Sequence, residues 1–186
     1  MNLQKHLNKI TSKINITKED ANRLYLLSKE YDLPSEVLYG IYLIEITYRP
    51  TYYRIGEYIV VVFRLILSVL FKVPIKNYTI GKCQIGLGTI ISYYGYTNAN
   101  VYSKEIYNVT LEQAIIIIKC FMWDYNSRVF AWRLRVLFVH YNTNDFRSLV
   151  RNIGHAYNGK LVYGLVLEKL IETYLNRTAF NNLTVY

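Results

Sequence analysis

The chain has 186 residues, about half of them hydrophobic, and its 22 basic and 13 acidic side chains leave a net charge of +9. That length suits one domain with a real core, and a basic surface attracts polyanions such as acidic lipid, an acidic cell wall or nucleic acid. Nucleic acid is set aside, because the charge is scattered with no Lys/Arg run. Cys83 and Cys120 are the only cysteines and no Cys/His spacing resembles a zinc site, so two free buried thiols are expected, with no metal and no cofactor.

Residues 1–16 are polar and basic and read as a loosely held arm. They lack the apolar core of a signal peptide, so the chain does not announce its own export. Thr17 with Asp20 three residues on has capping-box spacing and predicts a first helix ending near Tyr31. The stretch Leu33 to Pro50, LPSEVLYGIYLIEITYRP, predicts the next, opened by Pro34 and closed before Pro50. Near its end Glu45 is flanked by Leu43, Ile44 and Ile46, with Ile41 and Leu38 one and two turns back. A carboxylate against aliphatic side chains loses water, which disfavours its charged form. That is how a glutamate is made into a general acid near neutral pH. The plainer alternative is a solvated glutamate at the border of a polar face.

Tyr58 to Val73 is the most apolar stretch, interrupted by Arg64 and Lys72. A membrane span needs about twenty apolar residues with few charges. A buried central helix is the expectation, with an interfacial membrane helix as the alternative. Arg54 and Glu57 just before it have the spacing of a surface ion pair; alternatively they hold the Glu45 carboxylate in place. After Pro74 the texture changes: Gly81, Gly86, Gly88 and Gly95 allow tight turns and close backbone approach. Thr110 with Gln113 opens another helix, LEQAIIIIKCFMWDYNSR, apolar nearly all round and so expected in the core. A further helix covers roughly Arg128 to Tyr141. Thr143 or Asn144 caps the next, which stops at Gly159, and the last runs from Leu161 to about Leu175. The class is mainly α, with a small irregular or two-stranded segment near 76–90. The arm at 1–16 is followed by a single domain over 17–186.

Three separated pieces carry a family resemblance: the helix bearing Glu45, the segment Thr79-Ile80-Gly81-Lys82-Cys83-Gln84-Ile85, and Ala156-Tyr157-Asn158-Gly159 followed by Tyr163 and Tyr174. In this order they resemble the lysozyme-like superfamily, in particular lytic transglycosylases and goose-type lysozymes, over about Leu33 to Tyr174. Thr79 stands where that family commonly has serine. The resemblance implies a lysozyme-like helical domain that cleaves peptidoglycan between N-acetylmuramic acid and N-acetylglucosamine, with Glu45 catalytic. It also implies that Gln84, Thr79 and the backbone near Gly81 contact the sugar beside the scissile bond. Tyr157 would donate its hydroxyl toward the Glu45 carboxyl or the substrate acetamide. Asn158 would bind sugar through its amide, and Tyr163 or Tyr174 would wall the site. The bland alternatives are a turn-stabilising amide for Gln84 and half-buried core for Tyr157 and Tyr174.

Ordinary glycoside hydrolysis uses two carboxyl groups. No Asp or Glu lies between Lys72 and Asn100, where a goose-type hydrolase is expected to offer one; Glu57, Asp124 and Asp145 are the alternatives. A lone glutamate can serve twice, donating a proton to the leaving oxygen and then taking one from the sugar's own 6-hydroxyl. That is the transglycosylase route to 1,6-anhydro ends, and it is the reading preferred over the muramidase. The +9 charge fits a wall carrying acidic peptides. Such an enzyme would act in the periplasm or outside the cell after release by another route. The alternative of another class is a non-catalytic basic protein that meets a membrane surface or a partner through 58–73.

Overall fold

A computed structural model describes residues 3–12, 16–49, 51–96 and 103–175. In chain order the elements are α1 (Leu3–Thr11), α2 (Lys18–Glu30), α3 (Ser35–Tyr48) and α4 (Thr51–Phe71), then β1 (Ile75–Lys76), β2 (Thr79–Ile80), β3 (Ile85–Gly86), α5 (Leu87–Tyr93) and β4 (Glu105–Ile106). They end with α6 (Leu111–Lys119), α7 (Trp123–His140), α8 (Phe146–Asn158) and α9 (Leu161–Leu170), which runs on as a π-helical turn, Ile171–Leu175. The protein is mainly α, as its patterning indicates. The chain divides into two compact units, Met1–Tyr48 with Ala131–Tyr186, and Arg49–Phe130.

In the first unit Thr17 caps α2, its hydroxyl accepting from the Asp20 amide at 3.1 Å. Pro34 precedes the first turn of α3, where its missing N–H costs nothing. Every residue of α3 from Val37 to Glu45 is buried, so the acid goes inside with its neighbours. Tyr39 ties α3 to α2 by donating to the Ala21 carbonyl at 2.6 Å, and Tyr42 donates to buried Asp20. Gly159 ends α8 in the left-handed region, φ 75°, and turns the chain into α9. These two helices lie against each other at glycines: a Cβ on Gly164 would sit 2.2 Å from the Arg151 carbonyl oxygen. Arg151 grips buried Glu168 across that contact with two bonds, 2.9 and 3.0 Å. The expected loose arm is corrected over Leu3–Thr11. It forms α1, whose Leu7 and Ile10 share one face and are buried.

In the second unit β2 and β3 make a two-stranded ribbon, one of the forms the sequence leaves open near 76–90, pairing Thr79 with Gly86 and Ile80 with Ile85; β1 pairs with β4 as a second one. Thr110 and Gln113 complete the capping box of α6, but the helix stops at Lys119 and restarts at Trp123 instead of running to Arg128. Two expectations of burial fail here. On α6, Leu111, Ile115 and Ile118 are exposed. On α4, one stripe (Arg54, Val61, Leu65 and Ser68) is buried, while Ile55, Ile59, Phe63, Ile66 and Leu70 lie open. Apolar composition states what a side chain would gain from burial, not whether a neighbour is there to bury it.

Candidate functional site

Glu45 reaches the interior on the last full turn of α3 and is 5% exposed. Its Oε1 accepts a hydrogen bond from the Tyr163 hydroxyl at 2.9 Å. Tyr163 stands in the first turn of α9, which packs on α3. The Gly159 turn and the close α8–α9 contact set where that turn begins. The Tyr157 ring, in the last turn of α8, lies tilted 6.2 Å from the Tyr163 ring and is half-buried. The hydroxyl on Glu45 Oε1 is thus that of Tyr163, a residue expected as a wall, and Tyr157 stands beside that donor. Asn158 is the exposed last residue of α8. Tyr174 falls in the π-helical turn, and its side chain lies outside the described residues.

Two other acids of this unit are buried, and one of them, Asp20, is held as Glu45 is, by a tyrosine hydroxyl. Asp20 receives the Tyr42 hydroxyl, and Glu168 is clamped by Arg151. Glu45 is met at Oε1 by a neutral hydroxyl, which can donate to a carboxylate and adjust when the carboxyl is protonated. Such a pair can hold a proton-transfer group in a fixed orientation.

The second unit gathers Thr79, Gly81, Gln84 and Glu57. Gln84 is 9% exposed and left-handed, φ 52°. Its Oε1 accepts from Thr79 at 2.7 Å, and its Nε2 donates to the Gly81 carbonyl at 3.1 Å and to Glu57 Oε2 at 3.4 Å. These bonds close the turn between β2 and β3. The other oxygen of Glu57 takes Arg49 in an ion pair. The ion pair expected between Arg54 and Glu57 does not form. Arg54 is buried, 8% exposed, and its Nε has no hydrogen-bond partner among the described residues.

Gly81 occupies the left-handed region, φ 80°, and an added Cβ would meet Asn126 Nδ2 at 2.1 Å. Buried Asn126 donates to the Ile80 carbonyl and accepts from the Cys83 amide, both at 3.2 Å. Sequence reasoning missed this clamp, since one asparagine in an apolar helix carries no signal of a partner 43 residues back. It missed equally that Tyr163 would be the donor to Glu45.

Cys83 and Cys120 are free and buried, and burial pushes the Cys120 thiol up to about 12. A thiol so protonated is inert as a nucleophile at neutral pH. Among the described residues no group of three or more His, Cys, Asp or Glu side chains gathers as a metal site. No helix is long and apolar enough to cross a membrane, again among the described residues. Set against family models, curated proteins and solved structures, the chain matches none.

Proposed function

We propose that the protein cleaves peptidoglycan glycan strands between N-acetylmuramic acid and N-acetylglucosamine as a lytic transglycosylase, with Glu45 as the single acid and base. The observation that carries this reading is the buried Glu45 carboxyl at the end of α3 with the Tyr163 hydroxyl on its Oε1. The glycosidic oxygen needs a proton as its bond breaks, and the carbon left behind is oxocarbenium-like. Glu45 supplies that proton. As a carboxylate it then takes the proton of the muramoyl 6-hydroxyl, whose oxygen closes on the anomeric carbon. Tyr163 keeps the carboxyl oriented through both transfers. No Asp or Glu lies between Lys72 and Asn100, which favours a one-carboxylate route over a paired one. Sugar contacts by Gln84, Thr79, Gly81 and Asn158 rest on the resemblance.

The test is digestion of purified cell walls with mass spectrometry of the fragments. Anhydro-muramoyl ends are expected, and Glu45→Gln should release none. Reducing ends would point to a goose-type muramidase. Intact walls, with folded protein, would leave the non-catalytic reading. That second reading draws support from one observation, the open apolar face of α4.

A further inference from the structure

The open apolar face of α4 is longer than the one on α6. Tyr52, Ile55, Ile59, Phe63, Ile66 and Leu70 recur every three or four residues, so they form one stripe, about 27 Å long at 1.5 Å per residue. All six are exposed, Ile59 by 67% and Phe63 by 59%. The opposite stripe anchors the helix in its own unit, with Val61 and Leu65 buried and Tyr58 stacked on Phe121 at 4.2 Å. An open apolar stripe of this size marks an interaction surface.

Its charges say of what kind. From Thr51 to Lys76 the one acid is Glu57, already held by Arg49 and Gln84. Exposed Arg64 projects beside Phe63, and exposed Lys72 follows the C-terminus of the helix. Neither has an ion-pair partner among the described residues. A second copy docked on the stripe would bring Arg64 and Lys72 of both chains to one seam, where α4 itself offers only Glu57, already paired with Arg49. Anionic lipid headgroups meet both cations while the acyl layer takes the stripe, which needs no register and no hydrogen-bonding partner there. Tyr52 and Tyr53 at one end suit the interfacial level, where aromatic rings with a polar tip collect.

We infer that α4 is a membrane-docking helix that lies in the surface of an anionic bilayer with Tyr52, Ile55, Ile59, Phe63, Ile66 and Leu70 toward the acyl chains and Arg64 and Lys72 at the headgroups. The inference is independent of the catalytic reading.

Co-sedimentation of the full chain with vesicles tests it. Vesicles of phosphatidylcholine with phosphatidylglycerol should bind the protein, more weakly at high salt, and pure phosphatidylcholine should bind it less. Phe63→Glu should lower partitioning about tenfold or more. The double change Arg64→Gln with Lys72→Gln, on two exposed side chains, should lower it on the anionic vesicles about tenfold and leave the phosphatidylcholine value unchanged. It also serves if Phe63→Glu fails to fold. Folded wild-type protein left in the supernatant at low salt would overturn the proposal. So would binding indifferent to both variants, or a dimer that Phe63→Glu dissociates without any vesicle binding.

Discussion

Glu45 and Glu57 lie twelve positions apart in the chain and are held in opposite ways. In the first unit Glu45 is buried and takes the Tyr163 hydroxyl on Oε1. In the second unit Glu57 is half-buried, paired with Arg49 and bonded by the Gln84 amide. One setting suits a group that gives and takes a proton. The other suits a carboxyl whose bonds fasten a turn. The residue type is the same; what differs is the depth of burial and which side chain the fold brings to the carboxyl.

The hardest blow to this contrast is Glu45→Gln. It should cut wall cleavage about a thousandfold, as loss of a general acid does, in a protein whose circular dichroism is unchanged. Full activity in that variant, measured as muropeptides released, would erase the difference between the two acids. Next comes Gly81→Ala, which forces a Cβ into Asn126 at a left-handed position. It should cost about 2–4 kcal/mol and lower the melting temperature by roughly 5–12 °C, read by thermal denaturation. Tyr163→Phe removes a hydrogen bond and little volume. A fall of about tenfold in turnover at saturating wall is expected, with the amount of protein bound to the wall unchanged. Glu57→Gln should alter cleavage by less than about tenfold. A loss equal to that of Glu45→Gln, together with reducing ends, would instead make the two acids a catalytic pair.

The smallest effect belongs to a third acid, Asp145, a helix cap at the surface. The Ser148 hydroxyl and amide hold its carboxyl below the usual range. Folding therefore keeps it ionised to lower pH than the unfolded chain does. Its contribution is complete above the ordinary aspartate range and is lost as pH falls through the lower folded value. Asp145→Asn should lower the melting temperature at neutral pH by at most a few degrees and flatten part of its decline in acid.

Much of the local structure was legible in the sequence. Thr17 and Thr110 announced their helices because a cap is a bond between residues three apart. Gly159 announced a stop because a left-handed residue favours glycine. The cap of α8 was misjudged by one or two positions: Asp145 takes the role expected of Thr143 or Asn144, since a carboxylate accepts from two amides at once. Burial on α4 and α6 was misread because composition alone does not choose between a core and an open face.

The sequence by itself determined the helix starts at Thr17 and Thr110 and the stop at Gly159, that the class is mainly α, and that an acid would sit beside Leu43, Ile44 and Ile46. These follow from bonds and periodicities spanning a few residues. Only the tertiary structure decided that Tyr163 meets Glu45, that Asn126 backs Gly81, that Glu57 goes to Arg49 instead of Arg54, and that the α4 stripe stays open. Those outcomes depend on which distant surfaces meet, and a side chain's own chemistry leaves that choice to the packing of the whole chain.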